Sequence, residues 1–251
     1  MGKILAIVNQ KGGVGKTTTA VNLTAALHDA GLRVLLCDFD PQANATSGLG
    51  LDKRKVSKSI YDVVINDEPI ENAIQHTPYG DVLPSGSDLA GAAIELIDTQ
   101  GREHQLANAL DAVRDQYDLI MIDCPPSLEL LTLNALCAAE SILVPVQCEY
   151  YALEGLSDLM STMRSVKRRL NQSLDIFGVV LTMFDGRTNF STQVAQEVRH
   201  HFPGKVFATV IPRNVRLAEA PSHGMPVIAY DHLSRGCQAY KALAEEIQAK
   251  L

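Results

Sequence analysis

A glycine-rich loop between an apolar segment and a helix-forming segment is the feature that most constrains this chain. The loop reads Lys-Gly-Gly-Val-Gly-Lys-Thr-Thr over residues 11–18. It follows the apolar run 4–8, which predicts a strand buried on both faces, and it precedes residues 20–27, which predict a helix. Strand, glycine loop, lysine, hydroxyl and helix in this order are typical of a phosphate-binding loop.

The residue types in this loop have physical reasons to be there. Glycines let backbone N–H groups surround an anion without a Cβ in the way, and the helix N-terminus adds partial positive charge. We expect Lys16 to reach the β- and γ-phosphates of a nucleotide and Thr17 to hold Mg²⁺. The usual pattern has glycine where this chain has Gln10, and it has no lysine at position 11. Lys11 therefore needs an explanation of its own.

Apolar strands alternate with helices along the rest of the chain. Strands are predicted at 33–37, 82–83, 119–122, 141–146, 176–183 and 206–211. Helices are predicted near 88–98, 102–115, 128–138, 153–170, 190–201 and 236–250, with loop and short helices over 41–75. Strands that are apolar throughout favour a mostly parallel twisted sheet with helices on both faces. Since no segment resembles a linker, we expect one α/β domain of the P-loop NTPase class over residues 1–251.

Three aspartates follow predicted strands. Asp123 ends the run 119–122, the pattern of a Walker B carboxylate that binds Mg²⁺ directly or through water. Asp38 and Asp40 end the second strand and, with period-two alternation, are expected to point to the same face. One of them would position the attacking water and the other would tune the Mg²⁺ shell. The alternative is that they only cap a loop.

Charge is distributed unevenly along the chain. The net charge of −7 alone argues against nucleic acid. However, residues 1–163 carry 10 basic and 22 acidic residues, whereas residues 164–251 carry 12 and 7. This asymmetry predicts a localised positive face in the C-terminal part. No apolar run approaches the ~20 residues of a membrane span, and the first strand begins too early for a signal peptide. We therefore expect a cytoplasmic protein.

Several longer motifs resemble one family over essentially the whole chain. The phosphate loop, Asp38-Phe39-Asp40-Pro41-Gln42 and Asp123-Cys124-Pro125-Pro126-Ser127 resemble the deviant Walker ATPases. Segments 145–155, 181–188 and 211–222 narrow the resemblance to the ParA/Soj chromosome-partition ATPases. The resemblance implies an ATPase of weak intrinsic activity that uses ATP/ADP and Mg²⁺.

The resemblance supplies roles for the loop residues. In that family the lysine matching Lys11 crosses to a second subunit, so that two ATP molecules are sandwiched in a homodimer. Cations between facing triphosphates would offset their repulsion. Gly12 would lie where the two loops approach, and a side chain there should clash. The implied nucleotide-binding residues of the loop are Lys11, Gly12, Gly13, Val14, Gly15, Lys16, Thr17 and Thr18.

The resemblance also assigns residues outside the loop. Asp40 matches the residue for hydrolysis, so that the implied catalytic set is Lys11, Lys16 and Asp40. The implied metal ligands are Thr17, Asp40 and Asp123. Pro212 and Asn214 match the adenine-side loop. Residues Glu149–Tyr151 are expected near the dimer interface.

DNA and protein partners follow from the same resemblance. Arg187 and Arg216 match arginines through which the family's dimers bind double-stranded DNA without sequence preference, which implies a nucleoid-associated protein. Basic residues 164 and 167–169 would either extend this patch or form a solvated helix face. The implied stimulator of hydrolysis is a ParB/Spo0J-like centromere-binding protein that acts through a short basic segment.

Two alternative functions belong to other classes. A MinD-like membrane-cycling ATPase would need a basic, bulky amphipathic C-terminal helix, whereas residues 240–251 carry paired acids and small apolar residues. We therefore expect no membrane partner. The second alternative is an ATP-dependent metabolic ligase of the same superfamily, whose turnover would depend on a metabolite and ignore DNA.

Overall fold

An eight-stranded sheet in the order β3-β4-β2-β5-β1-β6-β7-β8 organises the molecule. The computed structural model describes residues 2–149 and 152–251, so the expectation for Tyr150 and Tyr151 lies outside the described residues. The strands are β1 Lys3–Ile7, β2 Val34–Asp38, β3 Gln75–Thr77, β4 Gly80–Leu83, β5 Leu119–Asp123, β6 Ser141–Gln147, β7 Asp175–Phe184 and β8 Val206–Pro212. Neighbouring strands are parallel, except that β3 pairs antiparallel with β4.

Helices connect the strands and cover both faces of the sheet. They are α1 Lys16–Asp29, α2 Asn44–Gly48, α3 Ile60–Ile65, α4 Ile70–Ala73, α5 Leu89–Glu95, α6 Gln105–Asp111, α7 Leu130–Ala138, α8 Ala152–Arg169, α9 Asn189–His201, α10 Val215–Glu219, α11 Val227–Tyr230 and α12 Arg235–Gln248. Short 3₁₀ turns lie at Arg114–Gln116 and Ala220–His223. None of the helices in the described ranges combines the length and apolar character that a membrane crossing requires.

The apolar strands separate two hydrophobic cores, as expected for a sheet buried on both faces. Alternate residues of β1 point to opposite sides. Ala6 belongs to the core beneath α3 and α5–α9, while Leu5 belongs to the core beneath α1 and α12. Burial of this kind contributes about 25 cal/mol per Å² of apolar surface to the free energy of folding. The buried central strands are therefore held firmly in place, and the functional residues follow their carboxyl ends.

The predicted class of fold is confirmed, with local differences. The antiparallel strand β3 was not predicted, because Gln-His-Thr is polar and lies at the sheet edge without an apolar alternation. The helix predicted over 102–115 is interrupted after Asp111. Arg114 there donates to the Gly2 carbonyl oxygen at 2.8 Å and contacts Glu140, so tertiary contacts override the local helical tendency.

The carboxyl ends of three central strands meet at one edge. Ile7 of β1 pairs in register with Asp123 of β5, and Asp123 pairs with Asp38 of β2. Loops that follow these strands are therefore neighbours in space, which is where open α/β sheets bind ligands.

Candidate functional site

The loop between β1 and α1 has the backbone that its glycines predict. Gly13 and Gly15 adopt left-handed φ values of 73° and 91°, which side chains rarely tolerate. Gly15 caps α1, and its carbonyl oxygen accepts the Thr19 N–H at 2.8 Å. From the far side of the sheet edge, the Thr182 hydroxyl donates to the Val14 carbonyl oxygen at 2.8 Å. The loop is thus held from both ends, with the start of α1 directed at its concave side.

Lys16 lies inside this loop and not in solvent. Its side chain is buried, and its Nζ donates to the Lys11 carbonyl oxygen at 3.0 Å, which bridges the two ends of the loop. Burial lowers the pKa of Lys16, while the charges of Asp123 and Asp40 oppose that shift. A buried cation with a neutral acceptor is suited to an incoming anion.

Asp123 and Asp38 form a buried pair of carboxylates beside Lys16. Both are 0% exposed and occupy paired positions on β5 and β2. Burial, together with the charge of Asp38, raises the pKa of Asp123 well above its usual range, while the Thr17 hydroxyl opposes the rise. Neither oxygen of Asp123 has a well-formed hydrogen bond to another described residue. Such orphaned oxygens are costly unless a further group binds them.

A hydrogen-bond network fixes Asp38. Its Oδ2 accepts the Thr46 N–H at 2.7 Å and the Thr46 hydroxyl at 2.6 Å, and its Oδ1 accepts the Asp40 N–H at 3.3 Å. Burial is the largest effect and raises the pKa of Asp38 to about 6, although the bonds from Thr46 oppose it. Asp38 thereby sets the backbone of the loop that bears Asp40.

Asp40 has a different environment from the buried pair. It is 8% exposed, and its Oδ1 accepts the Gln42 N–H at 3.0 Å. It lies two residues beyond Asp38, the last residue of β2. The sequence-based alternative of loop capping is therefore part of what these aspartates do, since both hold backbone N–H groups. Asp40 keeps one oxygen for further contacts.

The residues at this edge fit a magnesium ion bound together with a polyphosphate. Mg²⁺ prefers oxygen ligands and usually takes only one or two from protein, with the rest from phosphate and water. The orphaned oxygens of Asp123, the hydroxyl of Thr17 and the free oxygen of Asp40 are such ligands. Within residues 2–149 and 152–251, no three His, Cys, Asp or Glu side chains form a ready-made metal cage.

A cavity of about 220 Å³ opens beside the start of α1. Pro212 and Asn214, the predicted adenine-side residues, line it together with Gly15 and Thr18 of the phosphate loop. The Asn214 side-chain oxygen accepts the Arg216 N–H at 3.0 Å and caps α10, which leaves its NH₂ group for other partners. A flat ring beside the phosphate loop would fit here.

Sequence reasoning missed other residues of this cavity. Thr182, Met183 and Tyr240 line it as well. Met183 has a φ of 50°, an uncommon value for a residue with a side chain, at an irregularity in the β7–β8 pairing. The Tyr240 hydroxyl is within 3.1 Å of the Thr19 hydroxyl, 221 positions away. No local pattern could have linked α12 to this site.

Lys11 and Gly12 lie at the outer side of the loop. The Lys11 N–H donates to the side-chain oxygen of Asn9 at 3.0 Å. A Cβ built on Gly12 would meet only the Cβ of Pro126, at 4.0 Å. Within one molecule a side chain at position 12 is therefore tolerated, and any clash there would require a second molecule.

The two predicted DNA-contacting arginines emerge at the same sheet edge. Arg187 follows β7 and Arg216 follows β8, whose ends pair at Phe184 and Pro212. Arg187 binds Asp185 through two hydrogen bonds of 2.9 and 2.7 Å, and Arg216 pairs with Glu219 and Asp231. The Arg187 side chain is 89% exposed. Both guanidinium groups are thus accessible, but each is already paired with acidic side chains.

The basic residues of α8 lie elsewhere. The helix follows β6 and precedes β7, two parallel strands, so it runs from the carboxyl edge back to the amino edge of the sheet. Lys167, Arg168 and Arg169 occupy its last turn. Their exposure and their distance from the ends of β7 and β8 favour the solvated helix face over an extension of the arginine patch.

Comparisons with known proteins place this architecture in a family. A family model described as an AAA domain matches residues 2–176. The chain is 58% identical over 251 residues to the sporulation initiation inhibitor protein Soj of Bacillus subtilis, covering 99% of both chains. It is 52% identical over 252 residues to the chromosome partitioning protein ParA of Myxococcus xanthus, covering all of this chain and 89% of that protein.

A solved structure adds a bound nucleotide to the comparison. The structure described as cobyrinic acid a,c-diamide synthase from Mycobacterium smegmatis, with bound ADP and magnesium, superposes with a TM-score of 0.87. It is 38% identical and covers 99% of this chain and 94% of its own.

Proposed function

Because the chain belongs to the ParA/Soj family of chromosome-partitioning ATPases, we propose that its nucleotide site is a switch that controls DNA binding through dimerisation. The protein is an ATPase that binds ATP or ADP with Mg²⁺, hydrolyses ATP and acts in chromosome partition, with DNA and a ParB-like protein as partners. Neither a MinD-like role nor a metabolic ligase is favoured. We take residues 1–251 to act as one ATPase domain.

The observation that supports the assignment of site residues is the buried edge around Lys16. We propose that Lys16 and the N–H groups of residues 12–18 bind the phosphates, because the cation, the glycine backbone and the helix start converge there. Pro212 and Asn214 would lie against the adenine. Thr17, Asp40 and Asp123 would hold Mg²⁺, which when bound neutralises charge that develops on the phosphate oxygens.

Asp40 is the residue proposed for positioning the attacking water. One of its carboxylate oxygens accepts the Gln42 N–H and its own N–H donates to Asp38, which leaves the other oxygen for a water molecule. A carboxylate held in this way can orient a water molecule without itself moving. The weak intrinsic activity that we expect is consistent with an arrangement that a partner must complete.

Lys11 is proposed to act on the nucleotide of a second subunit. Two triphosphates that face each other repel, and a lysine contributed by each subunit would offset the repulsion. Gly12 would lie at the contact between the loops, since within one molecule a Cβ there meets only Pro126. In this scheme ATP stabilises the homodimer and hydrolysis releases it.

DNA binding would then depend on the dimer. Arg187 and Arg216 of two subunits would form one surface, and the doubled set of phosphate contacts would turn weak binding into stable binding. The protein would associate with the nucleoid in its ATP state. The ParB/Spo0J-like partner would stimulate hydrolysis through a short basic segment and return the protein to the monomer.

One experiment tests this scheme as a whole. ATPase activity and co-sedimentation with double-stranded DNA are measured with ATP, ADP and no nucleotide across a salt series. We expect DNA retention only with ATP, together with a steep loss as salt rises. Equal retention in all three nucleotide states would contradict the switch.

A further inference from the structure

We propose that an acidic surface next to the loop of residues 39–43, here called the catalytic loop because it bears Asp40, is the docking site for a basic amphipathic segment of the protein that stimulates hydrolysis. The acidic docking surface consists of the outer side of α5, the loop before it and the turn after it, and its exposed members are Asp88, Ile94, Glu95, Ile97 and Asp98. The inference rests on the proposed function in one respect, namely that the occupant is the stimulator.

The charge of this region is one-sided. Residues 59–101 contain eight Asp or Glu residues and neither Lys nor Arg. Glu68 pairs with Lys58 at 2.9 Å, and Asp81 is bound by His76 and Tyr117. None of the other six acids forms an ion pair with a lysine or arginine in the described part of the chain. Uncompensated acids of this density repel nucleic acid and attract a basic partner.

Two large apolar side chains lie among these acids. Ile94 is 72% exposed and Ile97 is 53% exposed, and the Ile97 N–H donates to the Ile94 carbonyl oxygen, so the two residues are one helical turn apart. Glu95 and Asp98 each follow one of the isoleucines. Single exposed apolar residues are ordinary, but a pair inside an acidic patch favours an occupant with both apolar and basic side chains.

A polar cavity of about 570 Å³ connects this surface to the catalytic loop. Pro41, Gln42 and Ala43 line this cavity together with Ser85 and Asp88. The Ser85 hydroxyl is fully buried and has no hydrogen-bond partner among the described residues. A buried hydroxyl without a partner is unfavourable, and a polar group of an occupant would satisfy it.

The cations at the cavity already have partners. Lys53 Nζ donates to the Gln42 carbonyl oxygen at 2.7 Å, and Arg54 pairs with Asp52. The acid Asp88 has no such cation. The Asp88 carboxylate accepts the Ser87 hydroxyl at 3.4 Å and is not paired with a lysine or arginine of the described residues, so it can pair with a basic occupant.

Two routes lead from the cavity to Asp40. Lys53 holds the Gln42 carbonyl oxygen directly. In addition, the Ser85 N–H donates to the Thr46 hydroxyl at 3.0 Å, and that hydroxyl donates to Asp38, which accepts the Asp40 N–H. Ala43, which follows Gln42 in this loop, has a left-handed φ of 52°, a strained conformation for a residue with a side chain. An occupant that contacts Ser85 or Gln42 would thus alter the loop that positions Asp40.

Direct binding of a synthetic peptide tests the surface without the natural partner. The probe is a fluorescent 20-residue helix with lysine on one face and leucine on the other, and its control has glutamate in place of lysine. Fluorescence anisotropy should show binding of the lysine peptide to the full chain. Asp88→Lys/Asp98→Lys should weaken it at least tenfold, whereas Asp29→Lys/Glu245→Lys, with the same charge change on α1 and α12, should leave it unchanged. Equal loss in both double variants, or no binding at all, would overturn the proposal.

Stimulated hydrolysis then separates this inference from the proposed function. The ParB-like protein of the same cell is added to each variant with ATP and DNA. We expect Asp88→Lys/Asp98→Lys and Ile94→Ser/Ile97→Ser to lose at least tenfold in half-maximal stimulation, with basal turnover and DNA retention unchanged. Full stimulation of both variants would overturn the docking surface. No stimulation of the parent chain, with peptide binding as expected, would refute the partner assignment while supporting the surface.

Discussion

The nucleotide-binding region and the arginine-bearing region lie at the same edge of the sheet but are built in opposite ways. Around Lys16, Asp38 and Asp123 the charges are buried and fixed by the backbone. Around Arg187 and Arg216 the charges are exposed and pair with partly exposed acidic side chains. Buried charges are expensive to unpair, whereas exposed pairs contribute about 0–1 kcal/mol. Changes in the nucleotide-binding region should therefore alter ATP affinity and stability. Changes in the arginine-bearing region should alter only the affinity for DNA.

The largest effect should follow from loss of the buried cation. Lys16→Ala should weaken ATP binding about 100-fold or more, since removal of one partner of a buried charge pair costs about 2–5 kcal/mol. Titration with a fluorescent ATP analogue measures the loss. Lys241→Ala, which removes an exposed lysine paired with Asp29, is the control and should bind normally. An intact affinity in Lys16→Ala would place the phosphates elsewhere.

A change of pH should sharpen the contrast at Asp38. Burial raises the pKa of Asp38 to about 6 in the folded protein, from about 3.9 in an unfolded chain. The folded state thus holds the proton more tightly. The stability from this group is fully present below about pH 4 and is lost as the pH rises through about 6.

Asp38→Asn should remove that loss. In the absence of nucleotide and metal, the variant should be about 1–3 kcal/mol more stable than the parent chain at pH 7.5, with little difference at pH 4. Urea unfolding with a chelator at both pH values measures the difference. An equal change in stability at both pH values would show that Asp38 does not titrate in this range.

A smaller effect, on the free energy of DNA binding, is expected in the arginine-bearing region. Arg187→Ala/Arg216→Ala should lower DNA affinity at least tenfold at physiological salt and reduce the salt slope by about 2 per subunit. The thermal midpoint and ATP affinity should stay the same, because both arginines are exposed. Arg168→Ala, at the end of α8 on the opposite sheet edge, is the matched control. If Arg168→Ala weakens DNA retention as strongly, the patch extends to α8.

The smallest effect should be a gain. Asp185 holds Arg187 through two hydrogen bonds, and these bonds lower the pKa of Asp185 to about 2, so the carboxylate competes with DNA for Arg187 at neutral pH. Asp185→Asn should strengthen DNA retention about threefold, within the 0–1 kcal/mol of an exposed ion pair. Salt titrations of retention compare it with Asp158→Asn, an exposed acid on α8. Weaker DNA binding by Asp185→Asn would show that Asp185 orders Arg187 for DNA.

The sequence predicted the elements whose evidence is local. The run 4–8 indicates a buried strand, and the glycines of residues 12–15 indicate a loop with unusual backbone angles. The structure has the strand β1 and has left-handed φ values at Gly13 and Gly15. The Tyr240 contact to Thr19 joins residues 221 positions apart, and the Thr46 contact to Asp38 joins α2 to the end of β2. Such contacts depend on how helices pack over the sheet. The ion pairs of Arg187 and Arg216 are also invisible in a pattern of charges, because they depend on side-chain direction after β7 and β8.

The most direct test of the proposed switch asks whether Lys11 couples the nucleotide-binding region to the arginine-bearing region. DNA retention and molecular mass by light scattering are measured with ATP for Asp40→Ala and for Lys11→Ala/Asp40→Ala. The single variant should accumulate as an ATP-bound dimer on DNA, while the double variant should bind ATP yet stay monomeric and off DNA. If the double variant dimerises and is retained on DNA like the single one, the claim that ATP controls DNA binding through Lys11 is wrong.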